Sequence, residues 1–193
     1  VWDIAQNKEL TKATGAINPI KRRTSMHFLS DKIYQAITGK PSIFTHEIVY
    51  ISDLNVKKKN AKELYIMDFD GQNQRRLTYF NENVLSPSMS PDNNEILYTL
   101  IKQVRRRKGK RFLKVKETHL YSYNRTTKRS KLMSNRDGIN SGAIFNSSGD
   151  KIYLTMSFSG NSEIYELYPK SSKARRVTTV SYTHLTLPTK RIV

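Results

Sequence analysis

Glu95-Ile96-Leu97-Tyr98-Thr99-Leu100 begins with a charge and turns at once into β-branched and aromatic residues, the composition of a strand. Two other segments share this form: Glu47-Ile48-Val49-Tyr50-Ile51-Ser52 before it and Lys151-Ile152-Tyr153-Leu154-Thr155-Met156 after it. A second series follows each one, at Glu63–Asp68, His119–Asn124 and Glu163–Tyr168. A third series closes each unit, at Arg75–Thr78, Ser130–Met133 and Arg175–Thr178. A fourth element precedes the second and third units, at Ser86–Asn93 and Gly142–Gly149. Each of these two is a short strand running into a turn. Pro91 presets φ there, and Asp92-Asn93 or Ser148-Gly149 supply the turn hydrogen bonds and a left-handed position.

Strand, turn, strand, loop, strand, turn, strand makes one antiparallel four-stranded sheet. Roughly 40–50 residues per sheet is the period of a β-propeller. Ile48 to Ile96 spans 48 residues and Ile96 to Ile152 spans 56. The excess lies between the second and third strands of the second unit, around Arg105-Arg106-Arg107-Lys108-Gly109-Lys110-Arg111. Residues 103–116 are therefore expected to form a lengthened hairpin loop. It is either a solvated, self-repelling loop or a docking surface for an anionic partner. A blade cannot cover both its faces alone, and the ring must close. Two whole units and one lacking its first strand lead to the expectation that the chain is a piece of a longer one.

Residues 1–45 differ. Val1–Ile4 and Leu10–Ile17 are expected as two short strands joined by a polar turn at Gln6-Asn7-Lys8. Met26, Leu29, Ile33, Tyr34 and Ile37 fall at helical spacing. Pro19 lies before this stripe and Gly39 follows it as a helix C-cap, while Pro41 and Ser42 mark a join. The fold class is mainly β: a partial β-propeller of four-stranded antiparallel blades, preceded by the end of a small α/β domain. Residues 1–42 are assigned to that domain and 43–180 to about two and a half blades.

Composition bounds the function classes. Of 193 residues, 37% are hydrophobic and 10% aromatic, enough for a packed core. No stretch approaches the roughly 20 apolar residues of a membrane-spanning helix. The chain starts Val1-Trp2-Asp3, so a leader has been removed or an N-terminal part is missing, and the sequence does not separate these. The absence of cysteine excludes disulfides, thiolate metal sites and a cysteine nucleophile. Lys and Arg number 34 against 16 Asp and Glu, a net charge of +18 that attracts polyanions. No nucleic-acid reading module surrounds the basic run, so no nucleic-acid partner is expected.

The run His27-Phe28-Leu29-Ser30-Asp31-Lys32-Ile33-Tyr34-Gln35-Ala36-Ile37-Thr38-Gly39, followed by Ile43-Phe44 and Ile48-Val49-Tyr50, resembles the inter-domain junction of the TolB family. Glu63–Thr78 and Ser86–Asp92 resemble that family's propeller repeat. Met89 stands where Trp is usual, Asn93 where Gly is usual, and Asn146-Ser147-Ser148-Gly149 replaces Ser-Pro-Asp-Gly. The resemblance implies a non-catalytic periplasmic scaffold of the Tol–Pal system, serving outer-membrane integrity and envelope constriction at division. Its partners would be the lipoprotein Pal and other Tol proteins, the complete protein being monomeric. The family's TolA-binding N-terminal strand has no counterpart here. Pal approaches near the starts of the innermost strands, which maps onto Asn140, Ser141, Gly142 and Ala143, and onto Ser86, Pro87 and Ser88. His27 and Asp31, one helical turn apart, are expected to share a hydrogen bond or charge pair and to help lock the domains together.

Residues 181–193 break the repeat and look like a non-native adapter sequence; a natural reading frame through Val193 at the genomic locus would refute that. The four histidines, His27, His46, His119 and His184, form no metal-ligand set, and no Gly-x-Ser-x-Gly elbow or phosphate-binding loop occurs. Asp68, Asp70 and Asn73 around Gly71 superficially suggest a calcium loop, but its closing Glu is missing. No catalytic residue, metal or cofactor is expected. The alternative function is the propeller of a prolyl-oligopeptidase- or dipeptidyl-peptidase-like serine peptidase whose catalytic domain lies elsewhere. A hydrolase domain in the full gene would decide for it.

Overall fold

The computed structural model describes residues 1–12, 22–109, 111–171 and 173–179. The expected strand Leu10–Ile17 beyond Lys12, Pro19, Lys110, His184 and the 181–193 tail lie outside the described residues. The elements in chain order are β1 (Trp2–Asp3), β2 (Lys8–Glu9), α1 (Arg22–Thr38), β3 (Glu47–Ser52), β4 (Glu63–Asp68), β5 (Arg75–Arg76), β6 (Asn83–Met89), β7 (Glu95–Lys108), β8 (Arg111–Asn124), β9 (Arg129–Ser134), β10 (Asn140–Phe145), β11 (Ile152–Met156), β12 (Glu163–Leu167) and β13 (Ala174–Arg176). The sheets run β3-β4-β5, β6-β7-β8-β9 and β10-β11-β12-β13, all antiparallel, beside the small β1-β2 pair. The repeat read from the sequence is thus two four-stranded blades and one three-stranded sheet lacking its first strand.

The chain divides into two compact units: residues 1–52 with 63–80, and residues 53–62 with 81–193. In the first, α1 ends at Gly39, where φ of +68° and the bond from Gly39 N to the Gln35 carbonyl (2.9 Å) form the expected C-cap. The stripe expected to pack is only partly covered: Leu29 and Ile33 are half-buried, while Met26, Tyr34 and Ile37 are exposed. Polar bonds hold the helix to its own unit. Arg23 pairs with Asp68 and with Asp70 (2.6 Å), and His27 Nε2 lies 2.9 Å from Asp70. His27 and Asp31 do not bond each other, contrary to expectation; Asp31 instead accepts from Ser42 Oγ, Phe44 N (3.1 Å) and Thr45 Oγ1 (2.6 Å). The turn after α1 brings those acceptor-seeking groups closer than the next helical turn does. Tyr34, Phe44 and Phe69 then meet edge to face, with centroids 6.0 and 5.8 Å apart.

In the second unit, Ile96, Leu97, Tyr98, Thr99 and Leu100 are all fully buried, so the first half of β7 is covered on both faces. Leu97, Leu120 and Met133 of one blade join Ala143, Ile152, Leu154, Met156, Tyr165 and Leu167 of the next in a single core. Burying each such Leu or Ile is worth about 1.5–3 kcal/mol, so stacking neighbouring blades is what stabilises either one.

The basic run corrects one expectation. It is no loop: β7 and β8 continue pairing from Glu95↔Asn124 out to Lys108↔Arg111, with Gly109 (φ +62°) at the turn. An unbroken one-to-one register, with pairs such as Val104↔Val115, carries the ladder on where a charge count suggested irregular chain.

Candidate functional site

The innermost strands β6 and β10 carry the residues expected to meet a partner. Both are interrupted by the same bulge. In β6 the register shifts between Leu85 and Ser88, with Ser86 at φ +50°; in β10 it shifts between Ser141 and Ile144, with Gly142 at φ +65°. Ser86 and Gly142 therefore occupy equivalent positions, as do Pro87 and Ala143. Proline is tolerated on an edge strand and at such a bulge, where its missing N–H costs no ladder bond.

The seven candidates separate by accessibility. Ser86 and Gly142 are exposed, and Pro87, Ser88 and Ser141 are half-buried. Asn140 and Ala143 are buried, at 0% and 2% exposure. The Asn140 amide is fully committed: it donates to the Thr118 (2.9 Å) and Arg136 (2.6 Å) carbonyls and accepts from Ser134 Oγ (2.7 Å). Its backbone N–H donates to Thr118 Oγ1 at 2.7 Å. Asn140 thus fastens β10 to β8 and to the connection after β9. Thr99 Oγ1 adds a contact to Ser141 Oγ at 3.4 Å, joining the two blades beside the bulge.

The turns below the bulges are built from short polar residues. Ser90 Oγ donates to Asp92 (2.5 Å) and accepts from Glu95 N (2.8 Å), and Asn94 N donates to Asp92 (3.1 Å). These bonds, Ser90's first, hold the Asp92 carboxyl below its ordinary range. Asn93, standing where glycine is usual, takes φ +57°, a region asparagine tolerates. In the next blade Ser148 and Asn146 do the same for Asp150, and Gly149 takes φ +74°.

Sequence reasoning missed two polar devices. Arg23 pulls Asp70 down to about 2, with Gln72 N and His27 assisting; with Asp68 and Asp70 engaged by a guanidinium, the calcium reading has no free carboxylate pair. The second is a buried clasp. Glu63, fully buried, pairs with Arg76 (2.9 Å) and accepts from Thr78 Oγ1 (2.6 Å), which in turn accepts from Leu64 N (2.9 Å). Glu163, Thr178 and Ile164 N repeat it at 2.6 and 2.9 Å. The signal was present, since Glu opens and Thr closes both units 15 residues apart. Among the described residues no group of three metal-ligating side chains comes together, and no helix is long and apolar enough to cross a membrane.

Four-stranded antiparallel blades stacked through a shared core define a β-propeller. The family model described as the TolB beta propeller domain matches residues 34–184. The chain belongs to the TolB β-propeller family. It is 31% identical over 179 residues to the Tol-Pal system protein TolB of Ruthia magnifica subsp. Calyptogena magnifica, covering 92% of this chain and 39% of that protein. It is 37% identical over 98 residues to the TolB of Orientia tsutsugamushi (strain Ikeda), 51% of this chain and 22% of that one. The crystal structure of TolB from Acinetobacter baumannii superposes with a TM-score of 0.73 at 25% identity, over 92% of this chain and 41% of that one. The chain spans less than half the length of each of these relatives.

Proposed function

We propose that this chain is the junction and first blades of a non-catalytic, periplasmic protein-binding scaffold of the Tol–Pal system, whose propeller receives the lipoprotein Pal. The observation that carries this reading is the bulge repeated at the same place in β6 and β10. It puts Ser86 and Gly142 outward on successive blades while Asn140 and Ala143 are buried beneath. A repeated, rigidly backed position of small residues lets a partner approach the backbone closely, and no constellation for catalysis accompanies it among the described residues. Residues 1–42 are then the end of the preceding domain and 43–180 the propeller part, with Arg23 and His27 tying α1 to the end of β4 and its turn and Asp31 tying it to the segment before β3.

The test is retention of purified Pal by the full-length gene product. The expected result is a stoichiometric complex that the double change Ser86→Arg with Gly142→Arg weakens at least tenfold, roughly the effect of blocking a central contact. Loss of all Pal retention by the unaltered full-length protein, or an unchanged affinity in the double variant, overturns the assignment of partner or of face respectively. A hydrolase domain in the full gene would point to the peptidase class instead.

A further inference from the structure

The outer halves of β7 and β8 run on past the rest of the blade as a two-stranded ribbon. The last β7 residue paired to β6 is Ile101, and the first β8 residue paired to β9 is Leu120. Beyond these positions the two strands pair with each other to the turn at Gly109. Its two faces are unlike. On one lie Lys102, Arg106, Arg111, Leu113, Glu117 and His119. Glu117 and His119 are buried there, and Arg106 is held by Glu117 (2.6 Å) and Asp137 (2.6 Å). That face is anchored to its own unit.

The other face carries Gln103, Arg105, Arg107, Phe112, Lys114 and Lys116, all exposed. It has four cations and no carboxylate. Phe112 is 70% exposed, and with Arg105 and Lys114 it frames a hollow of about 300 Å³. Leu113, its neighbour on the opposite face, is also 44% exposed. At the base, Gln103 and Lys116 run into a cleft of about 220 Å³ shared with Lys59 and with Lys58, which is paired to Glu82 at 2.9 Å.

We propose that this ribbon is an arm that lays its cationic face on the surface of an anionic phospholipid bilayer, with Phe112 entering the headgroup boundary. Arginine and lysine have alkyl stems that lie along apolar surface while the charge stays at the phosphates. An aromatic side chain flanked by such residues matches the interface of a charged membrane. Nucleic acid fits less well. A strand-tracking groove stacks successive bases on several aromatics, whereas this face has one.

The experiment is co-sedimentation of the 193-residue chain with vesicles of equal parts phosphatidylglycerol and phosphatidylcholine, and with phosphatidylcholine alone. Each basic residue near an anionic surface contributes about fivefold to partitioning. The chain is expected on the anionic vesicles and not on the neutral ones, released as salt shortens the screening length. Replacing Arg105, Arg107, Lys114 and Lys116 together by Ala lowers partitioning by at least about 100-fold. Phe112→Ser lowers it by about tenfold and leaves the salt dependence in place. A shortened arm, with Asn-Gly joining Val104 to Val115, abolishes binding while circular dichroism shows the sheets intact. Equal binding to both vesicle types, full binding by the shortened arm, or arm-dependent binding of a single-stranded oligonucleotide tighter than of vesicles overturns the proposal.

Discussion

Thr78→Val tests the clasp of the first sheet. Valine matches threonine in shape, so packing is conserved and only the hydroxyl is lost. Thr78 is 3% exposed, and its Oγ1 both donates to Glu63 at 2.6 Å and accepts from Leu64 N at 2.9 Å. Losing the acceptor leaves a buried backbone N–H unsatisfied, at about 1–3 kcal/mol, and losing the donor removes a bond to an ion-paired carboxylate, at about 1.5–3 kcal/mol. Arg76 still faces Glu63, so the two do not add fully; about 3 kcal/mol is expected. With a urea dependence of about 2 kcal/mol per molar, the unfolding midpoint falls by about 1.5 M. Thr178→Val removes the same pair of bonds in the last blade, but Thr178 is only half-buried and water replaces part of the loss. It should cost about 1 kcal/mol. Equilibrium urea unfolding followed by circular dichroism measures both. A cost below about 1 kcal/mol for Thr78→Val, or equal costs at the two sites, would falsify the account of the clasp as a burial-dependent device.

Asp70 gives a pH prediction. Its carboxyl is depressed to about 2 from an unfolded value of 3.8, so its contribution is fully present above pH ~4 and disappears as pH falls through 2. Acid unfolding of the first unit should steepen between those limits, and Asp70→Asn should remove that part of the titration; an unchanged acid profile refutes it. Gly142→Ala places a Cβ in open space but at φ +65°, so only backbone strain is incurred, and a loss of about 1 kcal/mol is expected from thermal melts. Gly138→Ala is worse. Its Cβ would stand 2.3 Å from Ser157 Oγ, which accepts from Ile139 N at 2.8 Å, so about 2–3 kcal/mol should go with the displaced hydroxyl. Equal effects at the two glycines would show that Ser157 moves freely.

The blades were legible because strand, turn and spacing repeat, and a repeated signal is averaged over three copies. Gly39, Asn93 and Ser148-Gly149 marked their turns for a local reason, the φ angles available to those residues. The polar partners were not legible. Asp31 meets residues 42–45 and Arg23 meets Asp68 and Asp70, pairings set by how the chain returns on itself and not by spacing along a helix. The arm was hidden for a related reason. Charge density reads as solvated loop, while the register that makes it a ribbon depends on which residues fall opposite each other. Burial split the candidate site, since nothing in Asn140-Ser141-Gly142-Ala143 says which two side chains turn inward once a bulge breaks the alternation.

Asn140 also determines where mechanical load travels. Six residues beyond Lys102, at about 3.3 Å each, make the arm a lever of roughly 20 Å. At its foot, Thr118 is bonded to Asn140 and Arg106 to Asp137, both in the segment that opens the following blade. A pull on the arm is therefore transmitted into the next blade as well as along the ladder of its own. Two neighbouring blades share the strain, carried by the buried hydrogen bonds around Asn140 more than by the exposed Arg106–Asp137 pair.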